Sequence, residues 1–452
     1  MNKIPKAPTG TFDILPEDIP TWLRVEETVR KVCGLFGYSE IRTPMFEYTS
    51  LFARSIGEVT DIVEKEMYTI TRTGADGEGD EETLTLRPEV TASIVRAVIE
   101  HDLFARRPLQ KLFYYGPIFR RERPQKGRFR QFHQMGVEAL GSYDPLLDTE
   151  MIRLADVFLR ELGIANCELL LNSMGCPECR KAYRAALLAA AQQKRDELCD
   201  NCKSRIDRNV FRVLDCKIAK CVAVSDGFPP ISEFLCPGCR DHFDQVKSGL
   251  EKLGVVFKLQ SRLVRGFDYY TRTVFEFSCS DLGAQSAVCG GGRYDNLIEE
   301  LGGPKAGSVG FAIGLERAIM VMKTAADPAE TGAGAPSSAT VCPGPAAPCA
   351  LPVASVFLVT LGQNAKRAGF DLLDRIRGAG IAADMDHESK SLKAQMRLAN
   401  KLAVPHVLIM GDNELAAGTV NLRDMKASSE TTVPQDKIIS ALQAVLYAGS
   451  AR

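Results

Sequence analysis

One tryptophan, five histidines and a formal net charge of −1 are set against 452 residues. With 56 Lys+Arg and 57 Asp+Glu, the chain has no charge excess with which to hold nucleic acid in bulk. Any such contact has to come from local patches. No apolar run reaches the roughly 18 residues that a membrane-spanning helix needs. The opening stretch "MNKIPKAPTGTFDILPEDIP" has neither the apolar segment nor the small-residue cleavage site of a secretory signal, so a cytoplasmic location is expected. The glycine cluster "CGGGRYD" lacks both the Gly-x-Gly-x-x-Gly pattern and the Walker lysine. Rossmann and P-loop nucleotide sites are thereby disfavoured. A Gly-x-Ser-x-Gly elbow, a His-Glu-x-x-His zinc motif and internal repeats are missing as well.

What is present is the composition of a globular protein of two or three domains, with 45% hydrophobic and 25% charged residues. Its fourteen cysteines are unevenly spread, and eight fall between Cys176 and Cys239, mostly in Cys-x-x-Cys pairs. In a cytosolic chain that spacing suggests metal before disulfides. Zinc-ribbon spacing singles out Cys176, Cys179, Cys199 and Cys202, with Cys236 and Cys239 repeating the unit. The bland alternative is that reduced cysteines serve as small hydrophobes. Zinc therefore stays possible, and no metal ligand is assigned.

Residues 20–37 have helical apolar spacing and end at glycines. "YSEIRTPMFEYTSLF" reads as a strand stopped by Pro44, and residues 73–82 as the turn of a hairpin. "TLTLRPEVTASIVRAVIEHDL" changes from period two to period 3.6 at Pro88. Residues 111–142 read as two antiparallel strands joined by a loop. That loop is the densest patch of positive charge: "FRRERPQKGRFRQFHQMG", residues 119–136, holds five arginines and a lysine. Residues 260–315 return to strands loaded with glycine. "AADPAETGAGAPSSATVCPGPAAPCALP" reads as a flexible linker, and alternating strands and helices beyond it make a small α/β domain.

Period two puts Arg120 and Glu122 on one face of the first strand, and Phe132, Gln134, Gly136 and Glu138 on one face of the second. Guanidinium, amide, carboxylates and an aromatic plate on one face suit a phosphate and a base, whereas the plain alternative is a solvated basic hairpin. Glu89 behind Pro88 either complements a helix dipole or, with Thr91, binds a cation. "LVRGFDYYTRTVFEF" sets Arg265 beside a glycine and two tyrosines. Glu316 and Arg317, in "GFAIGLERAIM", could equally be a routine surface pair.

Taken together and in this order, these stretches closely resemble the class II histidyl-tRNA synthetases, from about residue 8 to 445. "GEVTDIVEKEMYTI" and "TLRPEVTASIVRA" are similar to the N-terminal part of that family. "FRRERPQKGRFRQFHQMGVEALG" is similar to its motif 2, "GFAIGLERAIM" to motif 3, and the segment ending at Pro44 to motif 1, which lies at the family's dimer interface. "LVRGFDYYTRTVFEF" and "CGGGRYDNLI" resemble the two signatures that mark histidyl enzymes. Position 90 departs from the pattern, with valine where many relatives carry glycine.

The resemblance implies an α+β catalytic core, an antiparallel sheet flanked by helices, over residues 1–325 with a Cys-rich insertion at about 167–250. A linker at 326–352 and an α/β anticodon-binding domain at 353–452 would follow. It implies ATP-dependent attachment of L-histidine to tRNA(His) through histidyl-adenylate, with Mg²⁺, in a homodimer with no membrane association. Arg120 would hold the α-phosphate and, with the catalytic Arg265, reach both histidine and that phosphate. Phe132 would stack adenine with Glu122 at its edge, and Arg317 would grip the γ-phosphate. Glu89, Val90 and Thr91 would meet the amino acid's ammonium side, while Gln134, Glu138, Tyr269 and Tyr270 would line its pocket. Catalytically dead relatives act as regulatory subunits of ATP phosphoribosyltransferase, but they usually lack the C-terminal domain and disturb the histidyl signatures. Both are present in this chain. The C-terminal domain, with 12 Lys+Arg against 10 Asp+Glu, would not suggest tRNA by charge alone.

Overall fold

The computed structural model describes residues 5–56, 66–71, 83–125, 127–265, 269–280, 282, 286–326 and 354–448. Most of "GEVTDIVEKEMYTI", the hairpin turn at 73–82, Gly266 to Asp268 and the linker beyond Ala326 lie outside them. The chain divides into two compact units, residues 1–28 with 40–322 and residues 29–39 with 323–452. The sequence reading had put all of 1–325 together.

In the first unit, β1 (Ser39–Glu40) is followed by a small antiparallel sheet of β2 (Phe46–Tyr48), β3 (Tyr68–Thr71) and β4 (Thr83–Leu86) in the order β2-β4-β3. The strand expected to stop at Pro44 is the two-residue β1, and β2 begins only beyond that proline, whose ring offers no donor to a ladder. Helix Thr91–Glu100 begins three residues after Pro88, not at it. Next come β5 (Gln110–Phe119), β6 (Gln131–Leu140), β7 (Cys167–Ser173), β8 (Lys258–Leu259), β9 (Thr271–Cys279), β10 (Ala287–Arg293) and β11 (Ser308–Gly314). With β1 they form one sheet in the order β1-β5-β6-β11-β10-β9-β7-β8, in which the pairings from β5 through β7 are antiparallel and that of β7 with β8 is parallel. Cys167 and Cys279 face each other across β7 and β9 and are joined by a disulfide.

Helix Pro145–Glu161 is started by its sequence. Pro145 supplies a preset φ at the first turn, and the Asp144 carboxylate accepts from the Leu146 N–H at 2.8 Å. Its Asp148 is buried and pairs with Arg293 at the end of β10, which Asp295 also holds at 3.0 Å. A buried cation with two carboxylates ties helix, sheet and the following loop together, and removing one partner from such a group costs about 3–5 kcal/mol.

Between β7 and β8 the insertion is helical. Pro177–Gln193 ends well before the second cysteine pair, and Asp200–Arg208 starts a new helix. The cysteines group differently from the ribbon spacing. Cys176 and Cys179 meet Cys236 and Cys239, while Cys199 and Cys202 meet Cys216 and Cys221. Folding brings the first pair to the last, which sequence proximity does not foretell.

The second unit holds β12 (Val356–Leu361), β13 (Ala383–Met385), β14 (His406–Gly411), β15 (Thr419–Asp424) and β16 (Glu430–Pro434), in the order β13-β12-β14-β15-β16. The first three strands are parallel and joined through helices, as the strand–helix alternation predicted. The antiparallel β15–β16 pair was not foreseen.

Candidate active site

Strands β6, β9, β10 and β11 all contribute lining to a cavity of about 550 Å³ in the first unit. Glu138, on β6, is buried in its wall. One carboxylate oxygen accepts from the Thr91 hydroxyl at 2.6 Å and the other from the Tyr294 hydroxyl. The register sets Gly310 of β11 directly opposite Glu138, and a Cβ at 310 would fall 1.8 Å from the carboxylate. Only glycine leaves that carboxylate its place.

Burial pushes the Glu138 carboxyl up to about 8. The neighbouring Glu89 adds to the rise, and the hydrogen bonds from Thr91 and Tyr294 oppose it. Glu89 is also raised by burial, against the pull of the Ala92 and Thr91 backbone N–H groups. Those groups donate to its carboxylate at 2.9 and 2.7 Å, so Glu89 caps the helix it precedes while lining the cavity. Tyr269 stands 4.8 Å from Tyr270 and 5.5 Å from Tyr294, centroid to centroid, and burial raises all three phenols.

A consequence for stability follows from Glu138. Its folded pKa lies above the ordinary 4.5, so the folded chain binds the extra proton between about 4.5 and 8. The stability this confers is complete below 4.5 and lost as pH rises through 8. Glu138→Gln should flatten the fall in melting temperature over that window and melt higher than the parent at pH 8. An unchanged pH profile would mean that Glu138 does not titrate there.

Five arginines, Arg120, Arg128, Arg205, Arg265 and Arg317, also line the cavity. β5 ends at Phe119, so Arg120 and Glu122 sit beyond the strand and not on its face as period two suggested. Arg120 is instead held by the loop: its Nε donates to the Pro88 carbonyl at 2.9 Å, and its guanidinium lies 5.5 Å from the Phe132 ring centroid. Glu122 pairs with Arg128 at 2.9 Å and lies 3.9 Å from Arg120. Arg317 donates to the carbonyls of Gly127 at 2.9 Å and Ala287 at 2.8 Å. Burial, then the like charge of Arg128 and Arg120, lowers its pKa, although Glu122 opposes them. Crowded cations of this kind are relieved by an anion.

Arg265 donates to Glu276 of β9 at 2.8 Å. Burial works against its charge, but Tyr270 and Glu276 outweigh it. Gly290 of β10 is the register partner of Glu276, and a Cβ there would fall 1.8 Å from the Arg265 guanidinium. A glycine opposite a functional carboxylate thus recurs on neighbouring strands.

Every residue assigned to histidine or ATP lines this cavity except Val90, whose side chain is packed in the core beside Ile94 and Val95. Glu316 is not a surface partner of Arg317. It is buried and accepts from the His133 backbone N–H at 2.9 Å, joining the helix Leu315–Ala326 to β6. Sequence reasoning missed Tyr294, Glu276 and Arg128 as lining residues. "CGGGRYD" and "TVFEF" were quoted as signatures, but only cross-strand register shows where Tyr294 and Glu276 point.

A family model described as Histidyl-tRNA synthetase matches residues 10–218 and 235–318, and one described as Anticodon binding domain matches 355–445. A histidine–tRNA ligase of Pelotomaculum thermopropionicum is 46% identical over 436 residues, covering 96% of this chain and 97% of its own. The chain belongs to the histidyl-tRNA synthetases. A second relative of this synthetase, the histidine–tRNA ligase of Halothermothrix orenii, is 43% identical over 97% of this chain and 99% of its own. Among solved structures, the apo histidyl-tRNA synthetase of S. aureus matches with a TM-score of 0.57 at 32% identity, covering 97% of this chain and all of that one. A Bacillus halodurans chain described as an ATP phosphoribosyltransferase regulatory subunit/histidyl-tRNA synthetase shares the fold at 20% identity, with a TM-score of 0.52 and 91% of this chain covered. The synthetase family model skips residues 219–234, inside the cysteine-bearing insertion.

Proposed function

We propose that the chain joins L-histidine to tRNA(His) in two steps at this cavity. In the first, a histidine carboxylate oxygen attacks the α-phosphorus of ATP, forming histidyl-adenylate and expelling pyrophosphate. In the second, a hydroxyl at the 3′ end of the tRNA attacks the acyl carbon and AMP departs. The observation that carries the reading is the composition of the cavity wall, where a buried carboxylate with two hydroxyl donors shares one space with five arginines.

The attacking group belongs to the substrate, so the protein needs no nucleophile. Its task is positioning and stabilising charge that grows on phosphate oxygens. Arg120 and Arg265 take the α-phosphate and Arg317 the γ-phosphate, with adenine on Phe132 and Glu122 at its edge. Glu138 bonds the imidazole, backed by Thr91 and Tyr294, while Gln134, Tyr269 and Tyr270 close the pocket and Glu89 faces the ammonium. Backbone around Val90, not its side chain, is left to contact the amino acid. Mg²⁺ bound with ATP would supply charge neutralisation to the phosphates. Glu276, an oxygen donor on the same wall, fits such an ion and would hold it.

The second unit supplies contacts to tRNA, and those contacts weaken with salt in proportion to the phosphates neutralised. The motif 1-like segment supports a homodimer, and the substrates are consistent with a cytoplasmic enzyme. Among the described residues no helix is long and apolar enough to cross a membrane.

ATP–pyrophosphate exchange run with a panel of amino acids tests the reading. Histidine alone should support rapid exchange. A pocket that hydrogen-bonds a polar side chain rejects isosteres lacking those groups, because its own polar atoms are left unpaired. Faster exchange with any other amino acid would remove the assignment.

A further inference from the structure

Eight cysteines of the insertion have no part in the proposed chemistry, yet they stand in two groups of four. In each group the sulfurs all lie within 4.8 Å of one another. Four thiolates around one tetrahedral ion, each about 2.3 Å from it, stand about 3.8 Å apart. The Cys176 and Cys179 sulfurs are 3.5 Å apart, too far for a disulfide and close to that edge. All eight are free thiols in the structure.

We propose that the insertion binds two zinc ions, an outer one at Cys176, Cys179, Cys236 and Cys239 and an inner one at Cys199, Cys202, Cys216 and Cys221. All-sulfur, four-coordinate, closed sites select zinc among common divalent ions, because thiolate is a soft ligand and zinc has no preferred geometry to violate.

Three independent features support the sites. Cys176, Cys199 and Cys236 each stand immediately before a helix, and their partners Cys179, Cys202 and Cys239 lie in its first turn. Helix N-termini stabilise thiolate charge. Secondly, the backbone of one pair bonds the sulfur of the other: the Cys236 N–H donates to Cys179 Sγ, and the Cys199 N–H to Cys221 Sγ, both at 3.2 Å. Lastly, the approach to the outer site turns at Gly175, which has φ +63° and whose Cβ would fall 2.5 Å from that of Cys179. The pairs are nested, the inner four lying wholly between the halves of the outer four. Zinc at both sites closes the module twice around Tyr183, Leu187, Ile206, Val213 and Leu235, which belong to the same core cluster as Val90 and Ile94.

The two sites differ in consequence. Residues around the inner site, among them Asn201, Arg205 and Lys217, line the active-site cavity, whereas no outer ligand does. Zinc in the inner tetrad therefore holds part of that wall, and zinc in the outer tetrad holds the module's two ends together. Binding displaces the thiol protons to solvent.

The test uses the full-length protein purified without chelator, with metals counted by plasma mass spectrometry. Two zinc ions per chain are expected, and one each in Cys239→Ser and Cys221→Ser. The Cys221→Ser variant should also show a several-fold higher KM for ATP or histidine in pyrophosphate exchange, with Cys239→Ser near the parent. The metal count does not depend on the proposed reaction, so the two can fail separately. Should a variant not fold, cobalt(II) replacing zinc in the parent should give intense thiolate-to-metal absorption equivalent to two all-sulfur sites. Protein that holds no zinc, takes none up when it is supplied, and offers eight freely reactive thiols overturns the proposal. So does protein whose insertion holds iron or disulfides instead.

Discussion

Replacing Arg265 by alanine should lower kcat for adenylate formation by on the order of 10²-fold or more, with little change in KM for histidine. The guanidinium lies in the cavity wall, fixed by Glu276 at 2.8 Å, and can answer charge that appears only as the α-phosphorus is attacked. A contact made mainly in the transition state affects turnover and leaves ground-state binding nearly intact. Two further variants separate this role from a structural one. Gly290→Ala drives a methyl group into the space of the guanidinium, 1.8 Å away, without removing the charge. It should reproduce much of the loss. Glu276→Gln keeps a hydrogen-bond acceptor and should cost less than either. An Arg265→Ala enzyme with normal single-turnover rates would take this residue out of the mechanism.

Glu138→Ala should act on the other substrate. Its carboxylate holds the Thr91 and Tyr294 hydroxyls and is assigned to the imidazole, so its loss strips the pocket of its acceptor and leaves two hydroxyls without one. The expected result is a rise in KM for histidine of about 10- to 100-fold, the cost of leaving buried hydrogen-bond donors without an acceptor. KM for ATP should stay near the parent value. Discrimination against other amino acids should narrow, measurable as exchange supported by residues the parent refuses. Tyr294→Phe should move in the same direction by less. Unchanged KM for histidine with undiminished selectivity would count decisively against the pocket as drawn.

How far these residues could be read from sequence depends on where the information lies. Period two was enough for β5 and β6, which the structure places at Gln110–Phe119 and Gln131–Leu140. Their inward alternation brings Phe132, Gln134 and Glu138 to one wall. The alternation was carried too far at Arg120 and Glu122, because the strand gives way to a loop whose contacts with Pro88 and Arg128 are not periodic. Tyr294 and Glu276 were out of reach for another reason. Their directions depend on how β10 aligns with β9 and β11, and that register is set by strands distant in sequence. The glycines of "CGGGRYD" and "GSVGFAIG" did carry a signal, since Gly290 and Gly310 mark where Arg265 and Glu138 need room. A glycine in a strand announces close approach without naming the group that approaches. The cysteines fail similarly. Local spacing pairs neighbours, whereas the insertion folds its first pair onto its last. Val90 shows the reverse case, a residue named by its motif whose side chain the helix start turns to the core.

The account rests on one claim above the others, that histidine and the α-phosphate meet between Glu138 and Arg265. A crystal structure of the full chain with a non-hydrolysable histidyl-adenylate analogue tests it most directly. The imidazole should lie within hydrogen-bond distance of Glu138, the phosphate mimic beside Arg265 and Arg120, and the adenine over Phe132. An analogue bound elsewhere, or bound here with its imidazole away from Glu138, would contradict the account.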